Sequence, residues 1–244
     1  MPKHKILQGD AIQQLNTLPS NSIDCVIADP PYGQTSLKWD QRIPGWPAAV
    51  RRVLKPSGSM WVFGSLRLFM ETQSDFANWK MSHDVVWEKH NGAGFFNDRI
   101  RCVHELAAHF YKSDTLWRDV YKAPQHTMDA TARTVRKKAM PAQWVGARGE
   151  SFYVSEDGGP RLQRSVIYCR SLHGSAEHPT QKPEELVALL VKYACPENGI
   201  VLDPFGGSGT TAVAALKNNR NCVLIELNPD YCEIARQRIS QLSP

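Results

Sequence analysis

The stretch Val201-Leu202-Asp203-Pro204-Phe205-Gly206-Gly207-Ser208-Gly209-Thr210-Thr211 reads as an apolar strand, a glycine-rich turn and the first residues of a helix. That succession points to an α/β fold. Glycines at 206, 207 and 209 let the backbone bend tightly and approach a ligand with no Cβ in the way. Ser208, Thr210 or Thr211 is placed to cap the helix. Glu226 lies 20 residues beyond Gly206 and ends the next strand. A carboxylate there can accept hydrogen bonds from ribose hydroxyls. A glycine-rich turn by itself is equally a tight, ligand-free βα connection, so Asp203 matters more. A carboxylate beside a phosphate cradle would repel a dinucleotide. It suits a ligand with a cationic amino group, such as the methionine part of S-adenosylmethionine.

Outward from this stretch the elements alternate. A helix over Pro183–Ala194 leads to the strand Ile200–Asp203. A helix over Thr210–Lys217 leads to the strand Asn221–Glu226, and a last helix covers Pro229–Gln241. Such alternation predicts a parallel sheet with right-handed crossovers. Upstream, Lys5–Gln8, Ser22–Ala28, Ser59–Gly64, Asp84–Glu88 and Glu105–Tyr111 have the Val, Ile, Trp and Phe content of strands. Trp46–Leu54 has helical spacing and stops before Lys55-Pro56-Ser57-Gly58. From 112 to 177 this rhythm is lost. Between Lys112 and His173 eleven Lys and Arg face six Asp and Glu, which accounts for the whole net charge of +5.

A second stretch carries chemistry. The strand Asp24–Ala28 runs straight into Asp29-Pro30-Pro31-Tyr32. An exocyclic amine on an aromatic base is a poor nucleophile, because its lone pair is delocalised into the ring. Hydrogen bonds from its two hydrogens, one to the Asp29 carboxylate and one to the Pro30 carbonyl, would draw the nitrogen toward sp³. The two prolines fix the carbonyl in advance, and the Tyr32 ring can stack on a base swung out of a duplex. Alone, the four residues could equally be a turn that closes a strand.

The remaining features exclude more than they assign. At 244 residues and 42% hydrophobic content the chain suits one globular domain, or a core with an appendage. No run approaches the roughly 18 apolar residues of a membrane span, and the charged start has no apolar stretch behind it, which leads us to expect a cytoplasmic protein. Six cysteines are scattered with no C-x-x-C pair, against a zinc ribbon or redox motif. His104-Glu105-Leu106-Ala107-Ala108-His109 has one residue too many between its histidines for the zinc-binding helix and reads better as a strand. Ser208 lacks nucleophile-elbow spacing, and no Walker lysine is present.

Taken together the chain resembles the β-class amino-methyltransferases of DNA, in which Asp-Pro-Pro-Tyr precedes the cofactor motif. The resemblance covers nearly the whole chain. It includes Gly9-Asp10, Arg52-Val53-Leu54-Lys55-Pro56-Ser57-Gly58, His178-Pro179-Thr180-Gln181-Lys182-Pro183 and the 203–211 motif. It implies a Rossmann-like fold dependent on S-adenosylmethionine, with a seven-stranded, mostly parallel sheet, helices on both faces and a circularly permuted motif order. The catalytic domain would span 1–111 and 178–244, and 112–177 would be a target-recognition region. Asp10 would lie near the cofactor adenine, Phe205 beside the cofactor and Glu226 on the ribose. Asp203 and the loop with His178, Thr180 and Lys182 would border the methionine end, with Gly206, Gly207, Ser208, Gly209 and Thr210 forming the turn. Asp29, Pro30, Pro31 and Tyr32 would form the amine pocket. Gly33 departs from a frequent Asn. Arg133, Arg136, Lys137, Lys138 and Arg148 would meet DNA phosphates or base edges, and Trp144, Phe152 and Tyr153 could wedge or stack. Double-stranded DNA is the implied partner; a homodimer and a cognate restriction endonuclease are compatible with the family. The initial Asp is more often tied to adenine N6, and Ser to cytosine N4. The cytosine enzyme and an inactive DNA-binding relative are the rivals, while Asn in place of that Asp would mark relatives that act on glutamine.

Overall fold

The computed structural model describes residues 2–34, 36–37, 40–93, 97–137, 149–171 and 181–242. In chain order, β1 (His4–Gln8), α1 (Ala11–Thr17), β2 (Ile23–Ala28), α2 (Trp46–Val53), β3 (Leu54–Gly64), α3 (Leu66–Glu71), β4 (Trp79–Ala93) and β5 (Cys102–Lys112) come first. Four short strands follow: β6 (His126–Thr127), β7 (Arg133–Lys137), β8 (Ser151–Ser155) and β9 (Arg161–Leu162). The chain then forms β10 (Val166–Tyr168), α4 (Glu184–Ala194), β11 (Ile200–Asp203), α5 (Thr210–Lys217), β12 (Asn221–Glu226) and α6 (Pro229–Ser240).

The main sheet runs in the order β1-β12-β11-β2-β3-β5-β4-β10. Of these strands β5 alone runs against the rest, pairing antiparallel with both β3 and β4. The sheet has eight strands where seven were expected. The extra one is β10, three residues inside the basic window, which pairs parallel with β4 through Val166↔Val86 and Tyr168↔Glu88. Three residues are too few to show alternation in the sequence, and the ladder on an open edge is what makes them a strand.

Burial explains why β2 and β3 read as unbroken apolar runs rather than alternating ones. In β2, Cys25 and Ile27 join one core with Trp61 and Phe63 of β3, covered by Leu186, Leu190 and Ala194 of α4, Ala212 and Ala215 of α5, and Ala235 of α6. Val26 and Ala28 join the other with Met60 and Val62, covered by Leu15 of α1 and by Trp46, Val50 and Val53 of α2. Both faces of the sheet are therefore covered at β2 and β3, with helices on each side, as expected. α1 escaped the sequence reading because it is short and polar; Asp10 starts it by accepting from the Gln13 N–H at 2.9 Å.

The chain divides into two compact units, one of Met1–Ala123 and Ser165–Pro244 and one of Pro124–Arg164. The second lies within the expected 112–177 region but is shorter. Tyr121 donates its N–H to the Ser57 carbonyl, Ala123 donates to that of Tyr193, and β10 joins the sheet, so both ends of the window belong to the first unit. The small unit contains two two-stranded ribbons, β6 with β9 and β7 with β8.

Candidate active site

Ligands of open parallel sheets bind beyond the carboxyl ends of the strands. Here β1, β12, β11 and β2 are neighbours, and their carboxyl ends carry Gly9-Asp10, Glu226, Asp203 and Asp29. A cavity of about 210 Å³ opens at that edge. Asp10, Asp29, Pro31, Lys182, Asp203, Phe205, Gly206, Gly207, Ser208, Thr210 and Glu226 all line it. The two motifs, far apart in sequence, thus share one wall. Pro30 and Tyr32 are not among its lining residues. Gly209 sits one residue before α5. His178 and Thr180, expected at this site, lie outside the described residues.

The glycine-rich turn is shaped as the sequence required, with one difference. Gly207 and Gly209 have φ of +48° and +84°, values that a side chain would oppose. A Cβ on Gly206 would stand 2.2 Å from Leu224 Cγ. The N-cap of α5 is Gly209, with no side-chain hydrogen bond, not Ser208, Thr210 or Thr211. Those hydroxyls have other partners: Arg238 donates to Ser208 Oγ and Thr210 Oγ1, and Thr211 donates to Asp203 Oδ2 at 2.6 Å. Asp203 Oδ1 accepts from the Phe205 N–H at 2.9 Å. Burial nonetheless pushes the Asp203 carboxyl up to about 7. Glu226 accepts from the N–H groups of Gly207 and Asn228, one on each oxygen at 2.8 Å. Phe205 stands edge-on to Trp46, centroids 5.4 Å apart.

The electrostatics of the wall are one-sided. Among the described residues it carries four carboxylates, Asp10, Asp29, Asp203 and Glu226, and one cation, Lys182. That cation is already committed. Lys182 Nζ lies 2.5 Å from Asp29 Oδ2 and 3.0 Å from Glu105 Oε1. Burial works against its charge, but the two carboxylates outweigh it and hold the ammonium above the ordinary lysine value. Among the described residues a phosphate would find no uncommitted cation on this wall, whereas an ammonium or sulfonium would find carboxylates.

Glu105 and Lys89 were not anticipated from sequence. Glu105 Oε2 accepts from Lys89 Nζ at 2.7 Å, and Tyr32 donates its hydroxyl to Asp29 Oδ1 at 2.9 Å and to Glu105 Oε1 at 2.7 Å. Burial would raise the Glu105 pKa, yet Lys182 and Lys89 hold it at about 2. Burial lifts Asp29 above the ordinary aspartate value despite Lys182. The turn after Tyr32 is fixed by buried Asp40, which accepts from the Gly33 and Gln34 N–H groups at 2.8 and 2.9 Å. Gly33 has φ of +64°, a conformation that Asn adopts more readily than most residues, and a Cβ there would stand 3.3 Å from Arg42 Cγ, so an Asn would require the Arg42 side chain to shift.

In the small unit, β7 and β8 pair Val135↔Tyr153 and Arg136↔Phe152. Alternation puts Arg133 and Lys137 on one ribbon face with Tyr153, and Arg136 on the other with Phe152 and Val154. Arg136 lies over the Phe152 ring, 5.4 Å from its centroid. Arg133, Arg136, Lys137, Phe152 and Tyr153 are all exposed. Lys138, Trp144 and Arg148 lie outside the described residues.

A family model described as DNA methylase matches residues 23–237. The Type II methyltransferase M.HinfI of Haemophilus influenzae is 27% identical over 276 aligned positions, which cover 98% of this chain and 69% of that protein. The crystal structure of the M1.HpyAVI–SAM complex matches with a TM-score of 0.64 at 23% identity, over 97% of this chain and 98% of that one. The PvuII DNA methyltransferase, cytosine-N4-specific, matches with a TM-score of 0.64 at 16% identity, over 97% and 88%. At these identities the two solved structures establish a shared fold.

Proposed function

The chain belongs to the N6/N4 family of DNA methylases, and from that premise we propose that it transfers a methyl group from S-adenosylmethionine to the exocyclic N6 amino group of adenine in duplex DNA, once the base has been swung out of the helix. The observation that carries this reading is the shared cavity. Asp29 at the end of β2, Asp203 at the end of β11 and Glu226 at the end of β12 all line it.

The wall suits S-adenosylmethionine on the chemistry of its donors and acceptors. Glu226 would hold the ribose hydroxyls, Asp10 would lie near the adenine, and Phe205 would pack beside the ligand. Asp203 would face the cationic methionine end. Each oxygen of Asp203 and Glu226 accepts one hydrogen bond within the protein and keeps a lone pair for a ligand. When bound, S-adenosylmethionine supplies an electrophilic methyl on a sulfonium centre, with a neutral thioether as leaving group.

The protein's part is to orient and activate the amine. Asp29 and the Pro30 carbonyl accept the two amino hydrogens, which frees the nitrogen lone pair to form the new bond. The proton shed by the nitrogen leaves along the Asp29 hydrogen bond after that bond has begun to form. An Asp at the head of the motif favours adenine over cytosine by family likeness. The β7–β8 ribbon, with three cationic side chains and two exposed aromatic rings, would meet the DNA; a two-stranded ribbon fits the major groove.

The test is transfer of labelled methyl from S-adenosylmethionine to unmethylated duplex DNA, followed by digestion to nucleosides and mass analysis. N6-methyladenine is expected. N4-methylcytosine would replace the base assignment, and absence of label in DNA would remove the activity. Asp29→Ala should lower transfer by at least about a hundredfold and leave cofactor binding nearly intact.

A further inference from the structure

A carboxylate that accepts an amine N–H must be ionised and aimed, and burial works against the first requirement. Asp29 is a largely buried carboxylate whose two oxygens are held by different partners, Tyr32 on Oδ1 and Lys182 on Oδ2. Its surroundings come from four other parts of the chain. Lys182 precedes α4, Glu105 is in β5, Lys89 is in β4, and Asp203, a negative neighbour, ends β11. Lys182 sits between two carboxylates, and Glu105 between two lysines, with the Tyr32 hydroxyl bridging Asp29 to Glu105.

We propose that Lys182 and Glu105 are positioning residues for Asp29: Lys182 keeps its carboxylate charged and oriented, and Glu105, anchored by Lys89 and Tyr32, shares the Lys182 ammonium so that it does not capture Asp29 outright. The proposal rests on the reading of Asp29 as the acceptor for the amine. Nothing about the distances alone demands a division of labour, but the charges do. Without Glu105, a single ammonium 2.5 Å from Asp29 would close into an isolated ion pair and compete with the incoming amine. Without Lys182, a buried Asp29 would face Glu105 and Asp203 with no countercharge, and would take up a proton.

The two substitutions therefore act in opposite directions. In Lys182→Met the Asp29 titration midpoint rises by about 1 to 3 pH units, and Lys182→Arg keeps it near that of the unaltered protein. In Glu105→Gln the midpoint falls, because a like charge is removed while the lysine stays. The readout is the carboxyl carbon resonance of Asp29 in protein labelled with ¹³C-aspartate, assigned by Asp29→Asn, with melting curves to confirm folding. The acid limb of the transfer rate should move in the same sense in each variant. An Asp29 midpoint that stays put in both, or moves the same way in both, overturns the proposal. Weakened S-adenosylmethionine binding in Lys182→Met with an unmoved midpoint would make Lys182 a cofactor ligand instead and also overturn it. Should Lys182→Met fail to fold, Glu105→Gln decides: a midpoint unmoved or raised sinks the idea. If the unaltered protein methylates no DNA, the functional reading fails while the resonance still answers this question.

Discussion

Asp203 would tie the proposed cofactor site to pH. Its carboxyl is pushed up to about 7 because burial outweighs the hydrogen bonds from Thr211 and the Phe205 N–H. A cationic ligand group stabilises the ionised form only. The affinity for S-adenosylmethionine should therefore fall as pH drops below about 7 and level off above it. In Asp203→Asn the affinity should be weaker, and this part of its pH dependence should disappear. Calorimetric titration between pH 5.5 and 8.5 (roughly one to two units either side) checks both. The placement of Asp203, Glu226 and Asp29 was legible from sequence because each stands at the carboxyl end of a strong strand, in a distinctive motif or at a set spacing from one. Glu105 was not. A single Glu in an apolar strand looks like an ordinary solvent-facing residue, and its meaning comes from Lys89, Lys182 and Tyr32, which reach it only through the fold.

At the scale of elements, β5 was readable as a strand, although it contains a near-match to a metal-binding helix pattern. Its His109 is fully buried against Trp61 and Tyr193, and Ser82 Oγ lies 2.6 Å from its Nδ1. Burial, and then the neighbouring His83, lower its pKa to about 3. An unfolded histidine takes up a proton near 6.5, so between those values the unfolded chain binds the extra proton and the native one does not. Stability should decline as pH falls from about 6.5 toward 3, by up to about 1.4 kcal/mol per pH unit from this group. Urea unfolding at a series of pH values measures it, and His109→Phe should flatten the slope even if it costs stability overall. α1, α3 and β10 were missed for a different reason. Each is at most seven residues long, too short for its periodicity to stand out.

At the scale of the molecule, the small unit carries seven Lys and Arg against four Asp and Glu, three of the five excess positive charges. Neutralised phosphates release counterions, so each contact adds to the salt dependence of DNA binding. Arg133→Gln and Lys137→Gln, on the same face of the β7–β8 ribbon, should each reduce the slope of log affinity against log salt by about 0.9. They should weaken binding to all sequences alike if they touch phosphates only. Arg136→Gln, on the opposite face, should leave the slope unchanged if the first face meets the backbone. Fluorescence anisotropy on matched duplexes between about 50 and 200 mM salt separates these outcomes. Composition located this region but could not bound it, because its outer strand and lead-in belong to the large unit by backbone hydrogen bonds rather than by any residue type.

The adjacency of β2 and β11 has a consequence for how the protein comes into being. Asp24 Oδ2 accepts from the Ile200 N–H at 2.9 Å across a separation of 176 residues, and the ladder continues through Cys25↔Val201 and Val26↔Leu202. On the ribosome, β2 is made early and waits for this partner until residues 200–203 have been translated. A strand with two apolar faces is a hazard while it waits. Nascent chains arrested before Ile200 should be protease-sensitive and should engage chaperones strongly. Chains released after Glu226 should become resistant in one step, so that modification of DNA waits for the last strand of the sheet.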